Sequence, residues 1–436
     1  MNSGGAKHIV VIGAGACGLM AARELARAGL RVTVLEGRAR TGGRIWTRNE
    51  TSFGVPHEAG AEFIHGNLSL THRLLSEYGI KTNVVKGDIW RVNEEPEKES
   101  TFIVDHNRQL SNALKKLSED ISVEEFLEKN FQQPKYAQLV NEVRGFVQGY
   151  DCADTFQASA AAFKDEWLHV PEEQYRVEGG YSRLTNALAA ACESFGCNIL
   201  LEHLVHRIKW KRGSAEIQLV QRKSIHADKV IITLPLGVLK TKGETGSVDF
   251  DPPLPAHARA FQELGYGTVI KFFLRFDEAF WNSNRKENKE ARKIRNMGFL
   301  FSDTRVPTWW TQLPDESPVL TGWLGGPHAL LWQSAHEDTL LDIALESLAA
   351  IFKEKKEYIS ARLTAWRITD WGRDLFSRGA YSYKTVGAEP LLALLRTPVE
   401  NTLYFAGEAL SEEGTGTVDA ALASGLSVSE KALGAL

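Results

Sequence analysis

Three glycines near the start of the chain, Gly13, Gly15 and Gly18, stand in the spacing GxGxxG, and Glu36 follows 18 residues after the last of them. Each has a task if the ligand is a dinucleotide. Gly13 permits a tight turn, Gly15 lets a pyrophosphate approach the backbone, and Gly18 allows a helix to pack closely on a strand. Glu36 would accept hydrogen bonds from the ribose hydroxyls of an adenosine, and its charge disfavours a 2′-phosphate. Thr41-Gly42-Gly43-Arg44 adds a second place of close backbone approach, with a cation beside it. Taken alone, that segment reads first as a plain turn capped by an exposed arginine.

These residues need elements to hold them. His8–Ile12 reads as a short, fully buried strand, apolar throughout as parallel strands are. A helix over Ala16–Ala28 follows, Gly29 stops it, and Arg31–Leu35 alternates as the next strand with Glu36 at its end. The helix N-terminus presents unpaired amides and a partial positive charge to phosphates. Further on, Gly265–Asp277 alternates as a strand. Ile270, Phe272, Leu274 and Phe276 share one face, and Lys271, Phe273 and Arg275 the other. On periodicity alone, Lys271 sits on a solvated face. Thr402–Ala406 reads as a buried strand ending at Gly407-Glu408, and Thr417–Glu430 as a helix begun by a Gly-Thr cap. Leu110–Val143 shows helical periodicity with mixed charges. Arg285–Arg295 reads as a solvated surface insertion and Glu94–Glu99 as an exposed acidic loop.

Composition sets the outer bounds. The 436 residues are 43% hydrophobic and 24% charged, which excludes disordered, collagen-like and disulfide-scaffold classes. A chain of this length divides into two or three domains. The net charge of −4 leaves no footprint for nucleic acid or an anionic membrane. The longest early uncharged run, Ile9–Ala22, is too short for the ~20 apolar residues of a bilayer span. Cys17, Cys152, Cys192 and Cys197 form no CxxC pair, which favours reduced thiols and a cytoplasmic location.

The glycine fingerprint, Glu36 and Gly42-Gly43-Arg44 together resemble the N-terminus of the flavin amine oxidase family, which includes monoamine, polyamine and L-amino acid oxidases and lysine-specific histone demethylases. Val177–Leu184, Asp228–Leu239, Trp366–Tyr383 and Leu403–Gly425 resemble four later segments of the same family. The resemblance implies FAD, held non-covalently because Ala380 stands where monoamine oxidases carry the linking cysteine. It implies cofactor contacts at Gly13, Gly15, Ala16, Gly18, Glu36 and Arg38, then at Gly42, Gly43, Arg44, Gly60 and Ala61. Val205, in Val-x-x-Ile, would clamp the adenine, and Trp371 would flank the ring. Gly407 and Glu408 would meet the ribityl and pyrophosphate. The amides of Thr417 and Val418 would face the pyrimidine edge, where a helix N-terminus stabilises negative charge.

On the substrate side, the resemblance makes Tyr381 one wall of an aromatic cage, with Thr417 where monoamine oxidases have the second tyrosine. Lys271 matches a lysine that holds a water against flavin N5. With a pKa depressed by burial, it could deprotonate the amine, position that water or guide dioxygen. His65 resembles a histidine that polyamine oxidases keep near the flavin. L-amino acid oxidases usually place an arginine where this chain has Glu62-Phe63, which tilts the substrate towards an amine without a carboxylate, one whose cationic tail Glu62 attracts. From the residues themselves, His65 also fits a structural role and Glu62 a helix cap.

The expected fold is α/β, a Rossmann-like FAD-binding domain of the GR2 flavoprotein type with a discontinuous α+β substrate-binding domain. The first takes residues 1–75, 176–250 and 396–436, the second 76–175 and 251–395. The expected reaction converts an amine to an imine, with O2 reoxidising the flavin to give hydrogen peroxide. Expected partners are a small amine and O2, without nucleic acid or membrane, in a monomer or homodimer. The rivals are an L-amino acid oxidase, a desaturase or porphyrinogen-type oxidase on the same fold, and a flavin-binding protein without turnover.

Overall fold

Ile9, Val10 and Val11 are completely buried, as an all-apolar strand must be when both faces of its sheet are covered. In the computed structural model, which describes residues 7–93, 96–99, 107–169, 173–282 and 294–435, His8–Ile12 is the middle of a five-stranded parallel sheet. The strand order is Asn198–Leu200, Arg31–Leu35, His8–Ile12, Lys229–Ile232, Leu403–Phe405. Helices Ala16–Arg27, Ser182–Ser194 and Val418–Gly434 share one core with it. Leu19, Met20 and Leu25 of the first helix are buried there, each contributing ~1.5–3 kcal/mol by leaving water. A second core joins the sheet's other face to a four-stranded sheet that contains Val205–Lys211 and Ser214–Leu219. The glycine at 18 is forced by this packing, because a Cβ there would fall 1.9 Å from the Gly13 carbonyl oxygen.

The chain also forms a seven-stranded sheet. Its order is Leu363–Asp370, Val269–Phe276, Val319–Gly325, Thr308–Trp310, Met297–Ser302, Asp88–Val92, Pro96–Glu99. Val269–Phe276 lies one strand in from the edge. Ile270, Phe272, Leu274 and Phe276 pack on the core that holds helix Glu337–Phe352. Its other face is covered too, so Lys271 is only 1% exposed rather than solvated. Pro96–Glu99 likewise departs from the expected acidic loop. It forms an edge strand, where Glu99 pairs with Arg91 at 2.7 Å and Lys98 with Asp88 at 2.9 Å, since opposite charges across a ladder stabilise it. The expectation for Arg285–Arg295 falls outside the described residues except for Ile294 and Arg295.

Helices Asn107–Lys115, Val123–Asn130, Ala137–Gly149 and Ala160–Trp167 form a separate small core. A three-stranded sheet pairs Phe63–His65 with Gln174–Val177, and Gln174–Val177 with Thr82–Val84. Among the described residues, no helix is long and apolar enough to cross a membrane, and the four cysteines are free and buried.

Candidate active site

Glu36 is 7% exposed at the end of its strand. Its carboxylate accepts the Ala14 amide at 2.8 Å and the Arg38 amide at 2.9 Å. Two backbone donors thus fix the anion before any ligand arrives. The adjoining helix starts with Gly15 as N-cap, without a side-chain cap or an acid in its first turn. Its ladder begins at Leu19 N donating to Gly15 O, 2.9 Å, and the earlier amides are left for an anion. Gly42 N donates to Ala14 O at 2.8 Å, which presses the second glycine segment against the first. These features open on one continuous cavity of about 1770 Å³, lined by Gly13, Gly15, Glu36 and Val205 at one end. Its volume exceeds the ~300–1,000 Å³ of a single drug-sized ligand. A fixed carboxylate, an uncapped helix start and a cavity of this volume fit an FAD.

The same cavity is lined by every cofactor residue the resemblance implies except Gly18, whose place is in the helix–strand contact. Arg38 lines it, but its guanidinium engages Asp374 at 2.7 Å and Ser377 Oγ at 3.0 Å. Arg44 donates to the Ala380 carbonyl at 2.7 Å and to Glu408 Oε1 at 2.8 Å. Glu408 also accepts from the Ser382 hydroxyl and from the Gly416 amide at 3.0 Å. This carboxylate therefore ties three segments together, a task beyond the hydroxyl contact expected of it. Trp371 is buried, and its indole N–H donates to Ala59 O at 2.8 Å. Thr417 spends its hydroxyl on the helix it starts, accepting Ala420 N at 3.1 Å and donating to Gly414 O at 2.7 Å. Its amide donates to Gly414 O at 3.2 Å, which leaves the helix start to Val418.

Lys271 lies in this cavity wall. Its Nζ donates to Glu58 O at 2.6 Å, to Gly60 O at 3.1 Å and to Glu62 Oε2 at 2.8 Å, the full donor complement of an ammonium group. Glu62 is 6% exposed. Its Oε1 accepts Arg176 Nε at 3.1 Å, Arg176 Nη2 at 2.9 Å and Trp310 Nε1 at 2.9 Å. Two cations on the protein hold this carboxylate below its usual range against the burial that opposes them. The free acidic lure expected at Glu62 is thus replaced by an ion-pair partner, because the strand places Lys271 within reach of it.

Tyr381 stacks against Trp323 with centroids 6.5 Å apart and planes inclined by 23°. Its hydroxyl donates to Tyr150 O and accepts the Cys152 thiol at 3.2 Å. Phe63 meets Trp310 edge-on at 5.6 Å, and His65 meets the Tyr150 ring edge-on at 5.4 Å. Burial pushes the His65 imidazole down to about 4. Near Tyr150 lie two residues that no sequence motif singles out, Asp151 and Glu166. Both line the cavity, and their carboxyls hydrogen-bond to each other. Burial holds both above the ordinary carboxyl range. Arg176 and Trp310 were equally unmarked. Strand periodicity places such residues on a face but does not show which partners the fold brings to it.

The family model described as flavin containing amine oxidoreductase matches residues 16–433. The chain is similar to polyamine oxidase 4 of Oryza sativa subsp. japonica, 29% identical, covering 97% of this chain and 88% of that one. It is also 29% identical to lysine-specific histone demethylase 1 homolog 2 of the same species, over 98% of this chain, and spans 57% of that relative's length. In fold, it is similar to wild-type putrescine oxidase bound to putrescine (TM-score 0.79, 22% identity, 98% and 99% of the chains). Cyclohexylamine oxidase from Brevibacterium oxydans matches as well (TM-score 0.79, 20% identity, 98% and 99%).

Proposed function

This chain belongs to the flavin containing amine oxidoreductase family, and we propose that it oxidises the C–N bond of a cationic amine without a carboxylate, a diamine or polyamine. The product is an imine that water hydrolyses, and dioxygen is the final acceptor, released as hydrogen peroxide. The observation that carries this reading is the charge of the cavity wall. Arg38, Arg44, Arg91, Lys271, Arg305 and Lys384 line it, and each has a carboxylate partner at 3.0 Å or less. An amino acid substrate needs a guanidinium free for bidentate contact with its carboxylate. Asp151 and Glu166, in contrast, meet no cation among the described residues, and they suit a distal ammonium. Relatives named for polyamines and a structural neighbour named for putrescine support the same substrate class.

FAD, when bound, supplies the two-electron acceptor for the amine and the route of those electrons to dioxygen. The chain supplies position. Tyr381 and Trp323 form one aromatic wall, Phe63 and Trp310 another. Rings there exclude water and attract a cation by their faces. Lys271 is fixed by three acceptors beside Gly60, and we assign its charge the guidance of dioxygen to the place of reaction. Lys271→Met is expected to retain FAD while slowing amine oxidation, flavin reoxidation or both by about tenfold or more. Wild-type rates in both would remove that role. The four buried thiols go with a cytoplasmic location.

Aerobic turnover with monoamines, diamines, polyamines and amino acids tests the proposal. We expect equal amounts of carbonyl product and hydrogen peroxide from diamines or polyamines. Turnover confined to amino acids would overturn it.

A further inference from the structure

Among the described residues, Glu62 is the one carboxylate that touches Lys271, and its surroundings show what it does. A carboxylate has about four lone-pair sites. Here Nε and Nη2 of Arg176 and Nε1 of Trp310 converge on Oε1, and Nζ of Lys271 takes Oε2. Two cations are already paired with this carboxylate, so it is not a free anion for an incoming ammonium. The Glu62 and Lys271 side chains are 4% and 1% exposed, and that of Arg176 is 13%. In such a place a lone carboxylate is costly and a compensated one is tolerated.

The partners come from different parts of the fold. Arg176 lies on the strand paired with Phe63–His65, directly opposite Phe63. Its Nη1 donates to Leu313 O at 2.6 Å and its Nη2 to Thr311 O at 2.9 Å. The guanidinium also lies 4.8 Å from the Phe63 ring centroid. It is thereby anchored to the segment just after Trp310 while it grips Glu62. Glu62, with the carbonyls of Glu58 and Gly60 from the same loop, then fixes Lys271 Nζ.

We propose that Arg176 and Glu62 are positioning residues that act through Lys271. Arg176 orients Glu62, and Glu62 sets the position of the Lys271 ammonium in the cavity wall. This rests on the role given to Lys271 above, and it reassigns Glu62 from recognition of the substrate to support of the reacting site. The trio carries two positive charges and one negative, so Arg176 also leaves a net cation beside the place of reaction.

The test uses the purified holoenzyme and the amine that gives turnover, with Arg176→Met, Glu62→Gln and Lys271→Met alone and in pairs. Arg176→Met and Glu62→Gln are expected to lower kcat by about tenfold, with KM for mono- and diamines within about twofold. Neither is expected to add to the loss already caused by Lys271→Met. Arg176→Lys, which keeps the charge but not the fork, is expected to recover part of kcat and also serves if Arg176→Met does not fold. Urea midpoints of the same set give a second readout, and the Arg176 and Lys271 variants are expected to be non-additive there. Additive kinetic losses, or a diamine-specific rise in KM for Glu62→Gln, would overturn the relay. If Lys271→Met keeps wild-type rates, the role of Lys271 fails, and the urea cycle still decides the relay: additive midpoints would overturn it.

Discussion

His65 and the Asp151–Glu166 pair show how burial assigns roles one residue at a time. Desolvation pushes the His65 imidazole down to about 4, so it stays neutral across the range where an ordinary histidine, with a pKa of about 6.5, would titrate. The pH profile of kcat/KM for His65→Asn is therefore expected to keep the wild-type inflections between pH 5 and 8. Loss in the variant of an inflection near 6.5 would contradict this. For the acids the sign runs the other way. Burial favours their protonated form, and a bound ammonium favours the ionised one. KM for a diamine is expected to fall as pH rises from about 5 to 8, more steeply than for a monoamine. Asp151→Asn should raise the diamine KM by about tenfold or more and leave monoamines nearly unchanged; equal effects on both would remove the subsite. His65 was marked in the sequence, but the acid pair was not. Asp151 and Glu166 lie in stretches without a recognisable motif, and only the packing of helix Ala160–Trp167 brings them together. Glu62 and Lys271 were visible, but their pairing and the part of Arg176 in it were not.

At the scale of elements the sequence was far more readable, because a βαβ turn is local and its requirements fall on consecutive residues. Gly13, Gly15, Gly18 and Glu36 stand where strand, helix and strand meet. The first helix extends over Ala16–Arg27, one residue short of the span expected. The close approach is stringent. With a Cβ 1.9 Å from Gly13 O, Gly18→Ala is expected to push helix from strand and cost about 1–3 kcal/mol. It should lower both the melting temperature and the ratio of flavin to protein absorbance. An unchanged melt with full flavin content would contradict the packing seen here. Lys271 marks where reading by element stops: the alternation of its strand was right, but the water expected on its face is protein instead. Which face of a strand is covered depends on what the rest of the chain lays over it.

At the scale of the molecule, a parallel sheet and a seven-stranded sheet border one cavity. Glu36 and the helix starts line it beside the first, and Trp310, Trp323 and Lys271 line it from the second, where the reading proposed above puts the amine. The central claim is that this cavity recognises positive charge and rejects a carboxylate at the reacting carbon. The most direct test is anaerobic mixing of the yellow protein with 1,4-diaminobutane and, separately, with ornithine, the same diamine bearing an α-carboxylate. The flavin absorbance is expected to bleach rapidly with the diamine and to persist with ornithine. Bleaching by ornithine with none by the diamine would contradict the account.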